Sequence, residues 1–150
     1  MIDWSCAAAA GAAGGLAMEA SALLLGALGL GRHGMVGYEG CMLTGRVSGA
    51  GSYLAGMAMH LALSVLIAFA YAWSFESVWG GAGWERGLAT ALPHWAAGGV
   101  VVPLFDRASG CVRRGAVPAL GPFASGSRSA FLIFLVGHLA YGATVGALYD

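Results

Sequence analysis

The chain alternates between long apolar stretches and shorter polar, glycine-rich stretches. Residues 4–30, 53–75, 87–105 and 129–149 are apolar and long enough to form helices that cross a bilayer. The clearest is 53–75, which contains no Asp, Glu, Lys or Arg and would span roughly 33 Å at about 1.5 Å per residue. The third stretch is shorter and is interrupted by Pro93. The pattern predicts an all-α integral membrane protein, a four-helix transmembrane bundle forming one domain over residues 1–150.

The composition favours the same class. Hydrophobic residues make up 59% of the 150 residues and charged residues only 9%, whereas soluble domains carry about 25% charged residues. The lipid bilayer is therefore the predicted partner, and a formal net charge of zero gives no reason to expect nucleic-acid binding. The chain does not begin with a positively charged segment, so we expect the first apolar stretch to be retained as a helix.

Arginine distribution predicts an orientation. The long polar segments 31–52 and 106–128 hold six of the seven arginines, and Arg86 lies in the short segment between the second and third helices. Because cytoplasmic segments are enriched in Lys and Arg, we expect the long segments to face the cytoplasm and both termini to face the other side of the cell inner membrane. In that topology five tryptophans are predicted to lie near the outer boundary: Trp4, Trp73, Trp79, Trp84 and Trp95.

The three cysteines are predicted to be free thiols. Three cysteines cannot all pair within one chain, and none forms a CxxC pair. Cys41 and Cys111 also fall in the segments assigned to the cytoplasm, where thiols stay reduced.

Two similar patterns suggest an internal repeat. His60-Leu-Ala is followed eleven residues later by Tyr71, and His138-Leu-Ala is followed eleven residues later by Tyr149. An Ala-Ala-Gly-Gly sequence also precedes each pattern, in the first and third helices. We interpret the chain as two tandem helical hairpins, residues 1–75 and 76–150, related by an axis along the membrane normal.

Small residues recur at four-residue spacing in the first and last helices. Gly11 and Gly15 share one helix face, as do Gly142 and Gly146. In lipid, such faces let helix backbones approach closely. They are the predicted packing surfaces, either within the chain or in a homo-oligomer or larger membrane complex.

Three polar residues within the predicted helices are the candidates for function: Glu19, His60 and His138. Glu19 is near the middle of the first helix, where a charge is costly unless it is paired or protonated. Counting from the helix ends places Glu19, His60 and His138 roughly 16, 10 and 14 Å deep, close enough to share one layer. A hydrogen bond between Glu19 and one of these histidines would satisfy both groups. Glu19 is thus either a proton relay or cation site, or a protonated carboxyl that hydrogen-bonds to a neighbouring helix.

The two histidines allow another interpretation. Facing helices of a bundle can hold haem b between two axial histidines, and His60 and His138 are the candidate ligands. The alternative is that both are hydrogen-bonded packing residues. We predict no other metal site and no catalytic residues, because phosphate-binding glycine loops and serine nucleophile motifs are absent.

Three functions follow as hypotheses. The first is a non-enzymatic membrane subunit or scaffold that packs through the small-residue faces, and the sequence favours it. The second is a b-type haem electron-transfer protein that uses His60 and His138. The third is a small proton- or cation-coupled transporter centred on Glu19 and His60.

Overall fold

The computed structural model describes residues 1–30 and 34–149, and this part of the chain contains helices but no strands. Residues 31–33 and Asp150 lie outside the described residues, so Arg32, one of the arginines that predict the orientation, is not described. The six α-helices are α1 Trp4–Leu25, α2 Met35–Thr44, α3 Ala50–Ser74, α4 Trp84–Ala108, α5 Gly110–Arg113 and α6 Arg128–Leu148. A 3₁₀ turn at Pro122–Ala124 precedes α6.

Four helical segments are long and apolar enough to cross a membrane: Trp4–Leu30, Ala50–Trp79, Trp84–Ala108 and Arg128–Leu148. The prediction of an all-α chain with four such helices is therefore confirmed. The first two include a wide π-helical turn after α1 and after α3.

The third long helix differs from its prediction. Instead of a short helix at 87–105 broken at Pro93, α4 runs for 25 residues through both Pro93 and Pro103. Each proline removes one backbone hydrogen bond, but apolar helices packed among neighbours tolerate this loss.

Local side chains fix where two of the helices begin. The Asp3 carboxylate accepts hydrogen bonds from the backbone N–H groups of Ser5 and Cys6, both at 2.9 Å, at the start of α1. The Ser127 hydroxyl accepts one from Ala130 N–H at the start of α6. These contacts satisfy backbone donors that have no partner within the helix.

The segment 31–52, predicted to be a loop, contains the buried helix α2. Gly40 of α2 faces the Ser52 backbone, and Gly56 of α3 faces the Val36 carbonyl, so α2 runs antiparallel to the first half of α3. A Cβ atom at either glycine would collide with the partner backbone, and the two helices therefore lie in close contact. The N-terminus of α2 is consequently deep in the bundle, while its C-terminus reaches the turn before α3.

The long helices form an open arrangement. Helix α1 packs between α3 and α6, and α4 packs against α6, but α3 and α4 barely touch. The α1–α6 side has a core that includes Tyr71, Phe75, Tyr141 and Val145. Two symmetric hairpins would make the α3–α4 contact resemble the α1–α6 contact. The structure has a gap there instead, and the tandem repeat stays a prediction.

The small-residue faces lie inside the bundle. Gly11 and Gly15 face α3, where a Cβ added at Gly11 would lie 2.6 Å from Ala68 Cβ. Gly142 and Gly146 face the first turn of α4, against the backbones of Gly87 and Gly83. These four glycines are therefore occupied by contacts between helices of one chain.

The prediction of free thiols at Cys41 and Cys111 is wrong. The two residues form a disulfide with a Cα–Cα distance of 6.1 Å, and Cys6 is the free cysteine among the described residues. The reason is the position of α2, which folds back along α3 and places Cys41 beside α5. Neither the spacing nor the composition of the sequence shows this reversal.

A buried hydrogen-bond network closes the same end of the bundle. Tyr38 of α2 donates to Asp106 Oδ1 at 2.9 Å. The Asp106 carboxylate also accepts from the backbone N–H groups of Leu120 and Gly121, at 3.0 and 2.8 Å. One carboxylate thus joins α2, α4 and the loop before α6.

Trp4, Trp73, Trp79 and Trp84 are exposed near helix ends, whereas Trp95 is partly buried, and the aromatic belt stays a prediction. The Trp95 ring packs against Phe123 and Phe131, at centroid distances of 4.9 and 5.8 Å. Both phenylalanines lie at the end of the bundle where α6 begins, opposite the chain termini. The prediction that Trp95 lies near the outer boundary is therefore wrong.

Candidate functional site: a buried carboxylate–histidine cluster

A cavity of about 330 Å³ lies between α3 and α4, bounded also by α1, α2 and α6. Its walls are mainly apolar. The titratable groups on its walls come from four helices: Glu39 of α2, His60 of α3, His94 of α4, and His138 and Tyr141 of α6. We refer to these five residues as the polar cluster.

The closest charged contact in the cluster joins Glu39 and His60. Glu39 Oε2 lies 3.5 Å from His60 Nδ1, and the two residues are only 3% and 5% exposed. The other ring nitrogen, His60 Nε2, lies 3.2 Å from the Gly15 carbonyl oxygen. The antiparallel packing of α2 on α3 brings this carboxylate to the histidine.

These contacts constrain the protonation of the pair. A carbonyl oxygen only accepts hydrogen bonds, so His60 Nε2 carries a hydrogen and donates it to Gly15. A neutral imidazole then has a bare Nδ1, which would repel an ionised carboxylate. The pair is therefore stable only if it holds one additional proton, either on His60 Nδ1 or on Glu39.

Glu39 is incompletely paired. Its contact with His60 is longer than an ordinary hydrogen bond, and Oε2 has no hydrogen-bond partner among residues 1–30 and 34–149. Burial raises the pKa of the Glu39 carboxyl above its ordinary value, and His60 opposes that rise only in part. A buried acceptor without a partner is costly, so this oxygen is a candidate contact for a proton or a ligand.

Glu19 occupies a different place from the one predicted. A Cβ added at Gly34, the residue that caps α2, would lie 2.7 Å from Glu19 Oε1. Gly34 provides no side chain to cap the helix, and the Glu19 carboxylate lies where the N-terminal N–H groups and dipole of α2 favour negative charge. The predicted hydrogen bond between Glu19 and one of the two histidines is not formed, and Glu39 takes the position facing His60.

Glu19 is nevertheless close to the cluster. A second cavity of about 30 Å³ is lined by both Glu19 and His138. That volume is about the share of one water molecule in liquid water. His138 lines both the larger cavity and the small cavity beside Glu19.

The two remaining histidines are adjacent. The His94 and His138 rings have centroids 4.6 Å apart. His138 Nδ1 lies 2.7 Å from the Phe134 carbonyl oxygen and must donate to it, which leaves Nε2 as the acceptor in the neutral ring. His94 Nδ1 lies 3.1 Å from the Tyr71 hydroxyl. Both histidines therefore have defined orientations at the cavity wall.

The geometry bears on the two metal hypotheses. Both ring nitrogens of His60 face protein groups, so axial ligation of haem b by His60 and His138 would require one of these contacts to break. Haem binding stays a prediction. Within the described ranges, no group of three or more His, Cys, Asp or Glu side chains is arranged to hold a metal ion.

Glu39 and His94 belong to the cluster but were not predicted from the sequence. Glu39 lies in a ten-residue, mostly apolar stretch between two long helices, and stretches of that length can be re-entrant. This signal could have identified it. His94 was not among the three polar candidates within the predicted helices.

Comparisons of the chain with protein-family models, curated proteins and solved structures found no match. Function is therefore argued from the geometry of the cluster.

Proposed function

We propose that the protein is a proton-coupled membrane transporter in which the Glu39–His60 pair holds the exchanged proton. The main observation behind the proposal is the hydrogen bond from His60 Nε2 to the Gly15 carbonyl oxygen. Because Nε2 is the donor in this bond, a proton is needed between His60 Nδ1 and Glu39 Oε2. The sequence hypothesis centred on Glu19 and His60 is thereby refined: Glu39 replaces Glu19 as the group that faces His60.

The surroundings of the pair support proton exchange. His94 and His138 line the same cavity, and the small cavity extends from His138 to Glu19. Carboxylates and histidines in series across apolar helices are typical of proton pathways in membrane proteins. Because α3 and α4 barely touch, a change in their separation would alter access to the pair.

The other two functional hypotheses remain predictions. A scaffold that docks partners through Gly11, Gly15, Gly142 and Gly146 would have to use other surfaces, because these glycines pack inside the bundle. The same applies to the predicted homo-oligomer or larger complex. A haem electron carrier would have to rearrange His60.

We retain the inner-membrane location, with the long segments on the cytoplasmic side, as part of the proposal. The arginines support it, whereas a disulfide is more common on the oxidising side of a membrane. Cys41 and Cys111 are both fully buried, which protects their bond from cytoplasmic thiols. Reporter fusions at each end of the chain would test the orientation.

A flux assay tests the proposed function. The purified protein is placed in liposomes that contain a pH indicator, with the membrane potential clamped, and Na⁺, K⁺ or phenyltrimethylammonium is then added outside. We expect at least one cation to drive proton efflux, and Glu39→Gln to reduce that efflux at least tenfold. Glu39→Gln preserves side-chain size but removes the titrating group.

Glu85→Gln is the matched control, because Glu85 is exposed in the first turn of α4 and lies outside the polar cluster. It should retain full flux. Proton movement that is equal in wild type, Glu39→Gln and protein-free liposomes would contradict the proposal.

A further inference from the structure

The polar cluster has one strongly buried acceptor that protein groups leave unsatisfied. Glu39 Oε2 is at the cavity wall and has no hydrogen-bond partner in the described part of the chain. The residue is 97% buried, since its exposed fraction is 3%. A ligand that donates a hydrogen bond at this point would remove the cost of the unpaired oxygen.

The charges around the cavity indicate whether a ligand there would be positively or negatively charged. The groups that face Glu39 from the neighbouring helices are Glu19 from α1, His60 from α3, His94 from α4 and His138 from α6. Among residues 1–30 and 34–149, no Lys or Arg side chain lines the cavity. An anion in the cavity would meet the Glu39 carboxyl, with Glu19 nearby beside the smaller cavity, whereas a cation would be neutralised by ionised Glu39.

The remaining walls indicate the polarity of the rest of the ligand. They are almost entirely apolar, and they include the aromatic rings of Phe105, Phe134 and Tyr141. Such walls cannot replace the hydration shell of an inorganic ion, but they stabilise apolar groups and attract cations to their ring faces. A volume of about 330 Å³ is at the small end of the range for ligand pockets.

The route into the cavity is consistent with a ligand of this kind. The cavity lies in the gap between α3 and α4, and Ala97 of α4 is exposed at its wall. The opening therefore faces the side of the bundle, where lipid would lie. An amphiphile dissolved in the bilayer can reach it without crossing a water-filled channel.

From these observations we infer that the cavity binds a small monovalent organic ammonium ion with an apolar body, whose N–H group donates a hydrogen bond to Glu39 Oε2. This inference rests on the proposed function and names the class of the exchanged cation.

Binding of the cation displaces the proton of the Glu39–His60 pair. The ammonium ion favours ionised Glu39, so the proton held by the pair is released to water as the cation enters. One positive charge replaces another, and the charge in the cavity is unchanged. Burial, which raises the pKa of Glu39, favours return of the proton when the cation leaves.

Equilibrium binding to the detergent-purified protein tests the inference, with benzylammonium as the probe and benzyl alcohol as a neutral analogue of similar shape. We expect benzylammonium to bind the wild type at least tenfold more tightly than benzyl alcohol does. Its binding should release a proton, detected by a pH indicator in weak buffer. Glu39→Gln should abolish both the preference and the release.

Two further variants keep the test decisive. Ala97→Trp fills the cavity from its exposed wall without changing a titratable group, and it should reduce benzylammonium binding at least tenfold. Glu85→Gln should bind like wild type. Equal binding of the two probes, or equal benzylammonium binding by wild type and Ala97→Trp, would overturn the inference.

The two proposals fail in different ways. If Na⁺ or K⁺ drives Glu39-dependent proton flux but benzylammonium does not bind, the inference is wrong and the proposed function stands. If benzylammonium binds at Glu39 but neither benzylammonium nor any other tested cation drives proton flux in liposomes, the site is right and the transport function is wrong.

Discussion

His60 Nδ1 lies 3.5 Å from Glu39 Oε2, while Nε2 of the same ring lies 3.2 Å from the Gly15 carbonyl oxygen. The Gly15 carbonyl requires Nε2 to carry a hydrogen. The protonation state of the pair therefore depends on whether a further proton lies between Nδ1 and Glu39 Oε2. Three helices contribute to this arrangement: α1 through the backbone of Gly15, α2 through Glu39 and α3 through His60.

The first prediction concerns pH and stability. Burial raises the pKa of Glu39 in the folded protein, so the contribution of its protonated form is fully present below the pKa of the unfolded chain and is lost as pH rises through the folded pKa. The melting temperature of the wild type in detergent should therefore fall relative to that of Glu39→Gln as pH increases. Glu85→Gln should follow the wild type, and parallel wild-type and Glu39→Gln curves would contradict the prediction.

The second prediction concerns the disulfide. The bond between Cys41 and Cys111 closes a loop of 70 residues, and loss of such a link costs about 4 kcal/mol in the chain-entropy account. Cys111→Ser should lower the free energy of unfolding by about that amount, whereas Cys6→Ser should have little effect.

A thiol count provides the control. A maleimide added to the denatured, unreduced wild type should label one cysteine, and it should label three after reduction. Three labelled cysteines without reduction would show that the bond does not form.

The third prediction concerns the close packing of α4 and α6. Gly142 contacts Ala91 and the backbone of Gly87, and an added Cβ would lie 2.7 Å from Ala91 Cβ. Gly142→Ala should destabilise the fold by about 1–3 kcal/mol, because the helices must separate to accept the methyl group. Gly51→Ala is the control, because a Cβ there meets nothing within 4 Å. Thermal unfolding in detergent measures both, and equal stabilities would contradict the account.

The fourth prediction concerns the Asp106 network. Tyr38→Phe removes one hydrogen bond to Asp106 and should cost about 1 kcal/mol. Asp106→Ala also removes the acceptor for Leu120 and Gly121, so it should cost more and should expose the loop before α6 to proteolysis. The control is Tyr53→Phe, since Tyr53 is 50% exposed. If Asp106→Ala leaves proteolysis of this loop unchanged, the network does not hold it.

The sequence was informative about the long helices because each is a continuous apolar stretch with polar ends. It did not predict α2, because the glycines of this ten-residue stretch suggested a loop, although its apolar residues are compatible with a short buried helix. Every feature that depends on α2 was missed for this reason, including the Cys41–Cys111 bond and the position of Glu39. Glu19 and His60 were recognised because a polar residue within an apolar helix is conspicuous, but their contacts depend on tertiary structure.

His94 shows a second limit. The third helix was predicted to be interrupted by Pro93, and His94, directly after this proline, was not a candidate. The intact α4 instead brings its ring to within 4.6 Å of His138, centroid to centroid. An apolar environment allows the helix to continue, and this effect depends on the neighbouring helices rather than on local sequence.

The most direct test of the central claim is an infrared pH titration of the lipid-reconstituted protein, comparing wild type, Glu39→Gln and Glu85→Gln. The account predicts a carbonyl-stretch band of a buried protonated carboxylic acid that disappears as pH rises, is absent in Glu39→Gln and is retained in Glu85→Gln. In His60→Asn the band should disappear over a different pH range than in the wild type, because no histidine shares the proton with Glu39. Identical spectra for wild type and Glu39→Gln at every pH would contradict the claim that Glu39 exchanges a proton.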